Sequence, residues 1–257
     1  MTRLSNIQFA IKIFLLGLLG ILSLLLSQLP LSLDLSAGQN APYSALQLQL
    51  LILLQPLIIL AVLVGVGTLL YRKLGLKAPI LSTKFNFKVM RPQLKAIAKS
   101  GAFGGIGVGT ALMLVSVLGE LGINGQLHNR PQALDISFLT ALLYGGIAEE
   151  IMMRFGLMTL LVWMLWKISK STADWVFIVA IVVSSVLFAA AHLPIFYASL
   201  QTVSFGVLTY ILAANTIAGL VYGYLYWKKG LECSMLAHMM THVTFFFLNS
   251  ILRAVLA

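Results

Sequence analysis

The nine residues at 148–156, AEEIMMRFG, carry two adjacent carboxylates, Glu149 and Glu150, and a guanidinium, Arg154, inside a chain that is otherwise nearly all hydrocarbon. The 257 residues include only 7 acidic side chains, so two of them side by side call for a reason. Successive residues of an α-helix stand about 100° apart, so these carboxylates point in different directions. Glu150 and Arg154 lie at i, i+4 on one stripe, where they can pair and neutralise each other in lipid. Glu149 has no such partner on its own helix and needs one from another. Three histidines in apolar spans are available. LFAAAHLP puts His192 at the end of one span, and LAHMMTHVTFF puts His238 and His242 at i, i+4 on one face of another. The fourth histidine, His128, falls in a loop.

One buried histidine alone is more often a satisfied core residue than a ligand or a catalyst. Three of four histidines in apolar spans, beside an unpaired glutamate, point instead to a site. A carboxylate in apolar surroundings can act as a general base on a water. One histidine can hold that water, and a second can donate to a developing oxyanion. This is a set for hydrolysis by an activated water. The same four side chains, Glu149, His192, His238 and His242, could instead bind Zn²⁺. H-x-x-x-H is a metal-compatible spacing on a helix, but residue 239 is Met, so the inner glutamate of H-E-x-x-H is absent.

The elements that must position these residues are membrane spans. The chain is 60% hydrophobic and 9% charged, with a mean hydropathy of +0.99. A soluble domain is about a quarter charged. A helix needs about 20 apolar residues to cross a bilayer, and such runs fall near 10–31, 45–71, 101–121, 137–166, 174–193, 203–227 and 231–252. The expectation is an all-α polytopic bundle of seven transmembrane helices, with an eighth, broken or re-entrant one allowed. The whole of 1–257 reads as one membrane-embedded domain, with 137–250 as the core that carries the chemistry. The start, MTRLSNIQFAIKIFLLGLLGILSLLLS, has a basic flank like a signal peptide. Its apolar run is long for one, so it reads as a retained first span.

The net charge of +10 fits the membrane better than a nucleic-acid partner. With the N-terminus inside, Arg3 and Lys12, the basic segment 72–99, Lys167, Lys170, Lys228 and Lys229 share one side. Of the 17 basic residues, only Arg130 and Arg253 fall on the other, and Arg154 lies within the membrane. This asymmetry predicts a cytoplasmic N-terminus, in the plasma membrane if the source is bacterial. The segment 72–99 holds no acid. Its stretch Phe85–Ser100 predicts an interfacial amphipathic helix on anionic lipid, against the plainer reading of a charged loop. GAFGGIGVG at 101–109 has the glycines of a dinucleotide loop but opens a span with no strand before it, so helix packing explains it better. Gly219 and Gly223 make a second small-residue pair. The single Cys233 excludes an internal disulfide.

Glu149-Glu150-x-x-x-Arg154, then Phe188-x-x-x-His192, then His238 in a terminal helix resemble the signature of the CAAX-protease and bacteriocin-processing (CPBP, or Abi) family of intramembrane peptidases. GLVYGYLYWKKGLECSMLAHMMTH is similar to that family's last block, and the resemblance covers about 140–250. It implies a peptidase acting on a membrane-associated, in some members prenylated, protein. It implies that Glu149 activates the water, that His192 shares it, that His238 stabilises the oxyanion, and that Glu150, Arg154 and Phe188 support them. The family often has Asn four residues after the last His. This chain has His242, which can donate the same bond but makes the set more metal-capable. A metal-free glutamate mechanism is the expectation, with zinc as the alternative. Two further classes compete: a non-catalytic scaffold or immunity protein, and a proton-coupled transporter, although polar residues such as Gln47, Gln55 and Asn215 trace no path. One tension follows from straight helices. Glu149 and His192 each lie about 27 Å from the basic end of their spans, and His238 only about 14 Å. The fourth span, about 45 Å, also exceeds the hydrocarbon core of about 30 Å.

Overall fold

The computed structural model describes residues 4–27, 45–122, 136–199 and 203–256. His128 and Arg130 lie outside these. The described chain is a helix bundle without a strand: α1 (Asn6–Leu22), α2 (Ala45–Leu70), α3 (Phe87–Gly122), α4 (Phe138–Ser169), α5 (Asp174–Ala191), α6 (Leu193–Ser199), α7 (Phe205–Lys229) and α8 (Leu231–Leu256). Seven of these segments are long and apolar enough to cross a membrane, α5 and α6 counting as one. Large apolar side chains such as Leu69, Phe103, Val186 and Phe247 face outward, as a bundle solvated by lipid requires. The protein is an integral, multi-pass membrane protein.

Polar contacts gather the chain's basic turns at one end of the bundle. Arg72, just after α2, donates to the Leu4 carbonyl (3.3 Å) and to Asn6 Oδ1 (3.2 Å) at the start of α1. Lys228 at the end of α7 pairs with Asp174 at the start of α5 (3.6 Å). Glu232 in the first turn of α8 accepts from the backbone N–H groups of Ile80 (2.8 Å) and Leu81 (2.7 Å). At the opposite end, Thr140 in α4 donates to the Ser23 carbonyl just after α1 (2.6 Å), and Phe138 packs edge-on against Phe246 of α8. The charge separation expected from sequence is therefore a separation in space. Lys167 lies over the rings of Trp163 and Trp166 at the basic end, where interfacial tryptophans belong.

Small residues set the helix spacing. Gly101, Gly105 and Gly109 form a stripe on α3 that meets Leu236, Ala237 and Thr244 of α8 in step, so these two helices run parallel. A Cβ on Gly105 would strike the Ala237 carbonyl. The sequence 101–109 is thus a packing face, not a nucleotide loop. Likewise Gly219 and Gly223 of α7 face Ser185 and Ile181 of α5, running antiparallel. Asn215 donates to its own helix, at the Ile211 carbonyl (2.9 Å).

Three features differ from the straight-helix expectation. First, Phe85–Ser100 is not a separate interfacial helix: α3 runs unbroken from Phe87 to Gly122. Its only proline, Pro92, sits within the second turn, so nothing later stops the helix. Second, α4 is wound in wide π-helical turns over Ala141–Glu149 and Ile151–Met158. Such turns bond i to i+5 and hold more residues each, so the helix is shorter than α-helical spacing gives. Third, α5 ends at Ala191, and His192 is the turn before α6, which opens with Leu193-Pro194. The fifth span is broken, and the break falls at a site histidine.

Candidate active site

The wide winding of α4 places Glu149 and Glu150 in very different surroundings. Glu150 is fully buried. Its Oε2 accepts a short hydrogen bond from Ser234 and faces Arg154 Nε at 3.5 Å. Its Oε1 meets His238 Nδ1 at 3.0 Å. Arg154 is itself fully buried. It donates to Ser184 Oγ (3.4 Å) and lies over the Phe188 ring (5.3 Å). The Glu150–Arg154 pair expected from sequence is present. The expectation that Glu150 and Arg154 form a self-contained ion pair is corrected, since Glu150 also holds His238. Ser234 is the part sequence reasoning missed. It stands four residues before His238, on the face that turns toward α4, and that i, i+4 spacing was the available signal.

Glu149 is half-buried. Among the described residues it takes no hydrogen bond and no ion pair, and it lies within electrostatic reach of Tyr144, Arg154 and Tyr222. It is the free carboxylate of the pair.

The three histidines come from two helices. His192 caps α5, and its Nδ1 bonds the Phe188 carbonyl (2.8 Å). A carbonyl can only accept, so this bond puts the proton on Nδ1 and leaves the Nε2 lone pair facing out. Phe188 lies edge-on to His192 (4.7 Å between centroids) and to His238 (6.1 Å), which makes it the spacer between the two rings. His238 is buried and held on every side. Tyr222 of α7 stacks on it at 4.5 Å, His242 stacks at 4.9 Å, and Glu150 takes its Nδ1. Tyr222 is anchored in turn, its hydroxyl donating to Thr241 of α8 (2.7 Å). His242 Nε2 is buried with no hydrogen-bond partner among the described residues, and His192 lies within electrostatic reach of that ring.

Gly145 ties these parts together. A Cβ on it would stand 2.6 Å from His242 Nε2 and 3.6 Å from His238 Nε2. Both ring nitrogens therefore converge on the helix that carries Glu149, one turn away. Only a glycine leaves that space open. Among the described residues no three His, Cys, Asp or Glu side chains are grouped closely enough to hold a metal ion. Two of the imidazoles have Nδ1 committed to protein acceptors, which leaves their Nε2 atoms to face a substrate.

The comparisons with known proteins bear on the same stretch. Residues 131–244 match the family model described as Type II CAAX prenyl endopeptidase Rce1-like. No curated protein and no solved structure matches the chain. The matched region runs from before α4 to just past His242 and contains every side chain of the cluster. The buried Glu150–Arg154–His238 hub, Glu149 and the two converging ring nitrogens all lie within the matched residues 131–244, and this match supports the resemblance of that part of the chain to the CPBP family of intramembrane proteases.

Proposed function

We propose that the protein hydrolyses a peptide bond of a membrane-associated protein with a water activated by Glu149. The carrying observation is the contrast within the pair. Glu150 is saturated by Ser234, His238 and Arg154, whereas Glu149 takes no hydrogen bond or ion pair among the described residues and sits one turn from Gly145, where two histidine nitrogens converge. Glu149 takes a proton from the water, and His192 Nε2 accepts the water's second hydrogen bond. The water oxygen attacks the scissile carbonyl carbon, and the carbonyl oxygen becomes an oxyanion. His238 and His242 donate to it from Nε2. Because His238 Nδ1 donates to Glu150, its Nε2 can donate only when the ring is protonated, and Glu150 is the counter-charge for that state. Glu149 then returns its proton to the leaving amine as the C–N bond breaks. The substrate class is a membrane-anchored, prenylated protein, and the segment 137–250 is the catalytic core.

The test is cleavage of a farnesylated peptide by the purified protein in lipid vesicles. Glu149→Gln is expected to abolish turnover while leaving the unfolding temperature unchanged; turnover at the wild-type rate would sink the reading. The same mechanism runs without a resident metal. Elemental analysis of active protein is expected to find zinc well below one per chain, and a chelator is expected to leave the rate unchanged. Stoichiometric zinc whose removal stops cleavage would overturn it. Neither a scaffold nor a transporter calls for two imidazole nitrogens converging on the helix that carries Glu149.

A further inference from the structure

The most prominent feature the hydrolytic site does not use is the start of α3. This helix has 36 residues, so it is about 54 Å long, against about 30 Å of hydrocarbon and about 40–45 Å with headgroups. Its first turns must therefore lie in or beyond the headgroup layer. There Lys88, Arg91, Lys95 and Lys99 follow one another at steps of three, four and four, so they fall within about 80° of one another. All four are exposed, and Met90 and Ile97 on the opposite side are buried against the bundle. Among the described residues none of the four basic side chains enters an ion pair or hydrogen bond. No acid occurs anywhere in 72–99. At the head of the stripe Phe85 and Phe87 are exposed by 85% and 62%.

We propose that this face of α3 is a docking surface for anionic lipid headgroups, with Phe85 and Phe87 inserted beside them, and that it fixes how deep α3 sits in the bilayer. Charge complementarity selects the occupant: four unpaired cations in one row, flanked by exposed rings, fit a sheet of anionic headgroups over acyl chains. The stripe is about 16 Å long, longer than the headgroup layer is thick, so α3 must tilt to engage all four charges. Depth matters because the glycine stripe of α3 grips α8, which carries His238 and His242. The inference does not depend on the hydrolytic mechanism.

The experiment uses the full chain with the buried Cys233 replaced by alanine and Phe87→Cys carrying a nitroxide. It is reconstituted in phosphatidylcholine vesicles with or without phosphatidylglycerol. Relative accessibility to oxygen and to a water-soluble nickel chelate reports depth. The expected result is a shift of the label into the bilayer with phosphatidylglycerol, weakened by high salt. The shift should be lost when Lys88, Arg91, Lys95 and Lys99 are changed to Gln, with unfolding temperature unaltered. Equal depth in the two lipids, or the same shift in the Gln variant, overturns the proposal. Equivalent protection by inorganic phosphate or by soluble polyglutamate in phosphatidylcholine alone also overturns it, since the occupant would not be lipid. The comparison of lipids in the parent chain stands whatever the Gln variant does.

Discussion

At the residue scale, the two neighbouring glutamates carry opposite loads. Glu150 is a buried charge held by three partners, and removing one partner of such a group leaves the rest uncompensated. Arg154→Met is therefore expected to destabilise the protein by about 3–5 kcal/mol, read as a fall in unfolding temperature in detergent. Ser234→Ala removes one hydrogen bond to a charged acceptor and should cost about 1.5–3 kcal/mol. A protein with Arg154→Met as stable as its parent would mean that Glu150 is not held as a charge. The ion pair was legible because i, i+4 spacing is local. The bond between Glu150 and His238 was not, because it joins residues 88 apart and depends on the angle at which α4 presents each carboxylate. A 100° step, right for an α-helix, misjudges a segment wound in π turns. Tyr222 was missed for the same reason: its role is a ring stack between α7 and α8, and nothing in its neighbours along the chain announces it.

At the element scale, the glycines of α3 make a discriminating pair. Gly105 faces the α8 backbone, whereas a Cβ on Gly107 would meet nothing within 4 Å. Gly107→Ala is expected to be neutral or to stabilise by about 0.5–1 kcal/mol through helix propensity. Gly105→Ala should instead push α3 and α8 apart, costing about 1–3 kcal/mol and lowering cleavage, because His238 and His242 ride on α8. Equal effects of the two substitutions would show that the stripe does not set the spacing. The packing role of 101–109 was readable from composition, since small residues in a span need little else to explain them. The length of α3 was harder to see. Apolar periodicity stops near residue 101, yet Lys, Gln, Ala and Leu before it are good helix formers, so the helix continues where the hydrophobicity ends. The wide winding of α4 left no mark in the sequence, and it shortens that span relative to α-helical spacing.

At the scale of the whole molecule, the basic turns gather at one end through Arg72, Lys228 and Glu232 and their partners. We propose, by the positive-inside rule, that this end faces the cytosol. A cysteine at Ser171, in the turn between α4 and α5, should react with a membrane-impermeant thiol reagent only from the cytosolic side. Reaction from the outside would reverse the orientation. The gathering of the basic turns at one end was legible because charge placement is a property of loops and survives any detail of packing. The meeting of the site residues was legible only as a set, since their depths depend on how α4 winds and where α5 breaks. The order of the helices has one more consequence. The ribosome delivers Glu149 and His192 before α8, and α8 supplies Ser234, His238 and His242. Until that helix docks against α3, Glu150 lacks two of its three partners, Ser234 and His238. On the mechanism proposed above, cleavage therefore waits for the last helix to emerge and dock.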